Sequence, residues 1–345
     1  MQIGAVKRVR LGELPTPLQE MANLEKVLGG PHLFIKRDDL TGLGTGGNKL
    51  RKLEYALAEA MELGATAVVT TGAVQSNHAQ LTAAAANRLG MKTFLILKGD
   101  KPHQPSGNLF LDRLLGVEEI RYVAVPSDSG KEEFESLLQN EVDRLMAELR
   151  KRGEVPYYIP NGCKAIHGAL GYAGCVYEIV GQLRAMNLAP NYIVTACGTS
   201  GTQTGLVLGS ILYGQGEIKV LGMSVSEKRD KLEERIRRNL REAAAFLELR
   251  IEEDALQDAA VVYDEYIGEG YGKPTDAMRE AVRLVASEEG IILDPVYTGK
   301  AMSGLIDLVH RGSFSRDDVV VFLHTGGIGG LFVPDQVSAL LADQP

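Results

Sequence analysis

Almost from end to end, short apolar runs with strand character alternate with segments that repeat their apolar residues at helical spacing. That alternation confines the fold, because successive strands joined through helices pair in parallel; the expectation is an α/β architecture with largely parallel sheets. Strands are expected at His32–Ile35, Ala67–Thr71, Thr93–Leu97, Ile120–Val125, Tyr192–Ala196, Val220–Val225 and Val319–His324. In Glu132–Arg150 the residues Phe134, Leu138, Val142, Leu145 and Leu149 recur three or four apart, and Gly153 ends the helix they predict. The strand–helix units between residues 52 and 163 form a set of their own. A small domain over 52–163, inserted into a larger one built from 1–51 and 164–345, is therefore expected.

Charge and composition exclude several classes. With 37 basic and 45 acidic residues the chain carries a net charge of -8, and it has no basic run of the kind that binds nucleic acid by counterion release. No apolar stretch nears the ~18 residues of a membrane span, and Met1–Arg10 leads into no signal-peptide core. Cys163, Cys175 and Cys197 lack the CxxC spacing of a metal site, so neither zinc nor a disulfide frame is implied. A soluble, cytoplasmic protein without metal, membrane or nucleic-acid partners is expected. Glycine stands out: 39 residues, some ~15 above average usage.

Many of those glycines lie in loops before helices. Gly42-Leu43-Gly44-Thr45-Gly46-Gly47-Asn48-Lys49 leads into the helical Leu50–Leu63. Asn48 breaks the Walker A register, and the polar Lys36–Thr41 separates a formal GxGxxG from the nearest strand, so neither nucleotide loop fits. Lys49 is either a solvated lysine or an amine held beside a carbonyl cofactor, where burial makes it nucleophilic. After Asn191–Cys197, the stretch Gly198-Thr199-Ser200-Gly201-Thr202-Gln203-Thr204-Gly205 precedes a helix-like Leu206–Tyr213. It offers donors to one phosphate, or is a βα turn with a hydroxyl cap. In Thr70–Gln80, Ser76 or Asn77 caps a helix or receives a carboxylate, and His78 packs or joins them. Two tyrosines follow, Tyr271 among glycines and Tyr297 in Asp294-Pro295-Val296-Tyr297-Thr298-Gly299-Lys300, before a last glycine loop at His324–Gly330.

In this order the motifs resemble the pyridoxal-phosphate enzymes of the tryptophan synthase β-subunit fold. The match is to the family of D-cysteine desulfhydrase and 1-aminocyclopropane-1-carboxylate deaminase. It runs from Pro15-Thr16-Pro17-Leu18 and Ile35-Lys36-Arg37-Asp38-Asp39 through Gly46-Gly47-Asn48-Lys49-Leu50-Arg51-Lys52-Leu53-Glu54 to the final glycine loop. The resemblance implies two three-layer α/β/α domains, pyridoxal 5'-phosphate as cofactor, a small amino-acid substrate and a homodimer. It implies Lys49 as the Schiff-base lysine and Asn77 at the ring hydroxyl. Thr199, Ser200, Gly201 and Thr202 would form the phosphate cup, and Thr325 would stand near the pyridine nitrogen. Ser76, Asn77, His78 and Gln80 would take the substrate carboxylate, and Tyr271 and Tyr297 would be the active-site tyrosines.

Deaminases of this family carry Glu after the second tyrosine and Leu after the position of His324. Thr298 and Thr325 stand there instead. A carboxylate near the ring nitrogen would favour its protonation, whereas threonine only hydrogen-bonds. Thr298 is therefore expected near substrate, and β-elimination from D-cysteine is the preferred reaction over deamination of the cyclopropane. Asn161–His167 is more basic than such a site requires. If Lys164 or His167 reaches it, the sulfonate of L-cysteate becomes a candidate substituent; otherwise Lys164 faces solvent. A catalytically silent binder on the same fold would be signalled by loss of Lys49 or of both tyrosines, and all three are present.

Overall fold

A computed structural model of the chain describes residues 3–124, 131–253, 256 and 259–342. Among these the strands are β1 Leu18–Glu20, β2 His32–Arg37, β3 Ala67–Ala73, β4 Lys92–Lys98, β5 Glu119–Val123, β6 Pro156–Ile159, β7 Tyr192–Cys197, β8 Lys219–Ser224, β9 Val261–Tyr263 and β10 Val319–His324. They form two sheets. The larger has the order β1-β2-β10-β7-β8-β9 and the smaller β5-β4-β3-β6. Every pairing is parallel except that of β1 with β2.

Burial explains the parallel strands. Along β10, Val319, Val321 and Leu323 join the core under the helices Ala165–Arg184, Gly201–Tyr213 and Arg229–Leu247. The alternate residues Val320 and Phe322 join the core under Ala22–Leu28, Asp276–Glu289 and Thr298–His310. A strand covered on both faces can be apolar at every position, and that is why β10 reads as an unbroken run. The smaller sheet is layered likewise: Phe94 and Ile96 pack under the helix Lys131–Lys151, and Leu95 and Leu97 lie on the opposite face with Leu109.

The helix Lys49–Glu62 links the two halves. Leu50, Leu53 and Leu57 are fully buried in the core that includes Val68 and Tyr157 of the smaller sheet; each such leucine contributes about 1.5–3 kcal/mol relative to exposure. Its other side faces the larger sheet through buried charge. Arg51 donates to both carboxylate oxygens of Asp38 and forks onto Glu178, while Lys36 pairs with Glu178. Thr16 and Tyr172 complete the Asp38 shell. Burial pushes the Asp38 carboxyl up, yet the Arg51 guanidinium prevails and holds it below the usual range. Such a network gives little net stability but fixes one geometry, here the seat of the helix that begins with Lys49.

All seven expected strands are present, to within a few residues at their ends; Val125 lies outside the described residues. β1, β6 and β9 have only three or four residues, too few to show a period. The helix expected at Leu206 begins at Gly201. Its first turns hold Gly and Thr, poor helix formers, because the neighbouring helix is so close: a Cβ on Gly205 would stand 2.4 Å from the Gly168 carbonyl oxygen. Close packing overrides propensity there. No helix among the described residues is long and apolar enough to cross a membrane.

Candidate active site

In each sheet the parallel strands send their following loops to one edge, and β3 of the smaller sheet with β7 and β10 of the larger deliver Ser76, Thr199 and Thr325 to a single cavity of about 620 Å³. Lys49 and Lys52 line it from the start of their helix, and Tyr271 and Tyr297 line it as well. Backbone proximity assembles the wall: Gly47 and Gly326 both have positive φ, and a Cβ on Gly326 would stand 2.6 Å from the Gly47 Cα. Only glycine permits that approach.

Lys49 is half-buried, and burial lowers its amine to about 8, against the opposing pull of Cys163 and Asp294. A large fraction of neutral amine near pH 8 is what carbonyl chemistry needs. Lys49 Nζ donates to Asn48 Oδ1 at 2.9 Å. Lys52, one helical turn on, is 1% exposed; burial first and the Lys49 charge second lower it to about 7.

The candidate anion cup is at the start of the helix Gly201–Tyr213. Its first N–H groups have no intrahelical acceptor, and Thr199 and Thr202 line the cavity beside them. Lys52 Nζ would lie 3.4 Å from a Cβ built on Gly201. Ser200 lines the cavity with Thr199 and Thr202, but its hydroxyl donates to the Thr199 carbonyl and accepts from Asn239 Nδ2. It holds the turn at φ 68°, and its side-chain hydrogen is not free for an anion. Gly201 shapes the cup through its backbone rather than by lining the cavity.

Ser76 caps the helix Asn77–Arg88, its Oγ accepting from the Ala79 N–H at 3.2 Å. Asn77 Oδ1 accepts from Asn108 Nδ2 at 2.6 Å, which turns the Asn77 N–H₂ group toward the cavity as a donor. His78 donates from Nε2 to Thr70 Oγ1, whose own hydrogen goes to the Ile159 carbonyl. Burial, then the charges of Lys49 and Lys52, push His78 down to about 3, so the ring is neutral.

Two expected carboxylate or substrate contacts lie elsewhere. Gln80 is buried behind the wall and accepts from Thr45 Oγ1. Thr298 is fully buried, where it donates to Asp294 Oδ1 and accepts from the Asp294 N–H. Both side chains are taken up by these hydrogen bonds within the packing. Lys164 and His167 likewise do not line it: both bind the two oxygens of Glu59. Tyr271 and Tyr297 do meet, hydroxyl to hydroxyl at 2.5 Å, and burial raises both above the ordinary phenol range.

Sequence reasoning passed over Lys52, Asn48 and Asn108. The first two stood inside the motif already read around Lys49, where helical spacing of i and i+3 would have put Lys52 on the Lys49 side. Nothing local marks Asn108.

The donor set fits pyridoxal phosphate. A depressed lysine amine stands near a helix-start cup with a second buried lysine, and Asn77 offers an oriented amide donor. Such a fold and cavity define a pyridoxal-phosphate enzyme of two parallel α/β units. Residues 9–326 match the family model described as pyridoxal-phosphate dependent enzyme. A putative 1-aminocyclopropane-1-carboxylate deaminase of Pyrococcus horikoshii is 40% identical over 94% of this chain and 93% of its own. A D-cysteine desulfhydrase of Serratia proteamaculans is 36% identical over 92% of each chain. The crystal structure of an ACC deaminase homologue superposes with a TM-score of 0.85 at 37% identity, over 99% of this chain and 97% of that one. The chain belongs to the pyridoxal-phosphate-dependent enzymes, within the family of 1-aminocyclopropane-1-carboxylate deaminase and D-cysteine desulfhydrase.

Proposed function

We propose that the protein is a carbon–sulfur lyase that converts D-cysteine to pyruvate, hydrogen sulfide and ammonia by β-elimination. The observation that carries this reading is Thr325, a threonine lining the cavity where the deaminase pattern has leucine; the sequence also has no carboxylate directly after Tyr297. Curated relatives bear both the deaminase and the desulfhydrase names, so the choice rests on these residues.

When bound, the cofactor supplies an electron sink for the pair released at the substrate Cα. Thr199, Thr202, the N–H groups at the start of the Gly201 helix, and Lys52 would hold its phosphate, and Asn77 its ring hydroxyl. Ser76 and the first N–H groups of the helix at Asn77 would receive the substrate carboxylate. Lys49, once its place is taken by the substrate amine, is the base that accepts the Cα hydrogen. The Tyr271–Tyr297 pair offers a hydroxyl hydrogen to the departing sulfur. Water then hydrolyses the released 2-aminoacrylate to pyruvate and ammonia.

The same proposal takes 52–163 as the smaller domain, supported by the confinement of all four strands of the smaller sheet to 67–159. Glu59 pairs with the Lys164 charge and holds the buried His167 ring, which weakens the support those two residues would have given to a sulfonate substrate. The test is a side-by-side assay of keto-acid release from D-cysteine, L-cysteate and 1-aminocyclopropane-1-carboxylate. Release from D-cysteine with sulfide in equal amount is expected. Turnover of the cyclopropane alone would overturn the choice.

A further inference from the structure

Asn48 occupies the N-cap of the Lys49 helix, where an asparagine side chain ordinarily accepts a backbone N–H of the first turn. It makes no such bond. The residue has already turned into helical geometry, with φ −60° and ψ −18°, and its side chain is aimed into the cavity instead. There the amide is engaged at both ends: Oδ1 accepts from Lys49 Nζ at 2.9 Å, and Nδ2 donates to Thr202 Oγ1 at 3.1 Å. At 9% exposure it has little water to fall back on.

The second bond has a directional consequence. A hydroxyl has one hydrogen, and Thr202 Oγ1 is receiving one from Asn48, so its own hydrogen must go elsewhere. Thr202 lines the cavity at the anion cup, and that hydrogen is available to an anion held there. We propose that Asn48 is a positioning residue that couples the two halves of the cofactor site. Its carbonyl end holds the Lys49 amine, and its N–H₂ end turns the Thr202 hydroxyl hydrogen toward the phosphate. A backbone bond keeps the amide in place, since the Asn48 N–H donates to the Thr325 carbonyl at 3.0 Å.

The proposal rests on the cofactor assignment above and goes beyond it by giving one side chain two linked tasks. Asn48→Asp preserves the shape and tests both at once. A carboxylate accepts the Thr202 hydrogen rather than donating to that oxygen, which removes the hydrogen from the cup and sets a negative charge near the phosphate. Affinity for pyridoxal phosphate should fall about 10- to 100-fold, the scale of a charge-assisted hydrogen bond. Inorganic phosphate, measured as a competitor, should weaken with it, while affinity for pyridoxal, which has no phosphate, changes far less. The same carboxylate favours a positive charge on the lysine nitrogen, so the pH midpoint of the bound cofactor's visible band should rise. Asn48→Ala removes the acceptor and should lower that midpoint.

Opposite shifts from two substitutions at one position would not follow from general loosening. In a Thr202→Val background, Asn48→Ala should weaken phosphate binding no further, because the hydroxyl it directs is gone. Fully additive losses, or phosphate affinities within about twofold of the parent and an unmoved midpoint, overturn the coupling. If Asn48→Ala does not fold, the isosteric Asn48→Asp decides. A parent protein that takes up no pyridoxal phosphate overturns the cofactor assignment instead, and the two failures are told apart by the parent's colour.

Discussion

Thr298 Oγ1 donates its hydrogen to Asp294 Oδ1 at 2.7 Å and accepts the Asp294 N–H at 2.8 Å. The two residues are locked across one turn, and Asp294 passes the constraint on by accepting the Tyr297 N–H with Oδ2. The threonine that separates this chain from the deaminase pattern thus constrains, from behind, the tyrosine proposed above to take part in the reaction. Thr298→Val keeps the shape and removes both bonds. A loss of about 1–3 kcal/mol is expected from the orphaned Asp294 N–H, seen as a lower urea midpoint. Turnover of D-cysteine should drop roughly 10- to 100-fold as Tyr297 loses its fixed direction, with a much smaller change in KM. An unchanged kcat would place Tyr297 under other control.

Lys52 is a buried base near the cup with a depressed pKa of about 7. Lys52→Met, similar in length, should weaken pyridoxal phosphate about 10- to 100-fold and leave pyridoxal nearly unaffected. The sign for stability runs the other way in the cofactor-free protein. The unfolded lysine binds its proton up to 10.5 and the folded one only up to about 7, so the folded state carries a penalty at low pH that is relieved as pH rises between them. Lys52→Met removes this penalty, and thermal melts of cofactor-free protein at pH 6 should show the variant gaining on its parent. Equal melting temperatures at pH 6 would rule the penalty out.

Asp112 is fully buried, and neither carboxylate oxygen has a hydrogen-bond partner among the described residues. Burial raises its pKa from 3.8 to about 8. The folded state then retains a proton that the unfolded state has released, so the contribution of this group to stability is complete below pH 3.8 and is lost as pH rises to 8. Asp112→Asn, neutral throughout, should flatten this decline and be ahead of the parent at pH 8 by at least about 1 kcal/mol, the equivalent of one pKa unit. Urea midpoints at pH 5 and pH 8 measure it; parallel declines in parent and variant would show that Asp112 is not the source.

Arg51 and Asp38 stand at 2% and 0% exposure, with 2.7 Å between Nε and Oδ2. Arg51→Met strands a buried carboxylate and should cost about 3–5 kcal/mol. Asp38→Asn added to it should restore part of that loss, with a coupling of at least about 0.5 kcal/mol in a double-mutant cycle. Pyridoxal phosphate should also bind the single variant less tightly, because the seat of the Lys49 helix is loosened. Additive losses would mean the pair does not act as a unit.

How far the sequence disclosed this arrangement depended on distance along the chain. β10 was legible because burial on both faces leaves a continuous apolar run, and the loops at Lys49, Thr199 and Ser76 were legible because glycine- and hydroxyl-rich stretches precede helix-like segments there. Thr298 and Gln80 were misplaced because the side of the wall a residue faces depends on contacts that no spacing displays. Ser200 was half-read: its hydroxyl type suited an anion, but Asn239, 39 residues away, occupies it. Asn108 orients Asn77 from 31 residues further on, and no local pattern could announce it.

Tyr271 remains 45% exposed as a residue, although its hydroxyl is buried against that of Tyr297. Under the proposed reaction, each hydrogen surrendered to a leaving group must be replaced before the next turnover, and the exposed part of Tyr271 puts the pair at the margin of the cavity, one side chain from solvent. The hydrogen taken from Cα resides meanwhile on Lys49. Donor and acceptor are thus separate reservoirs, and the tyrosines can refill from solvent without waiting for the lysine to discharge.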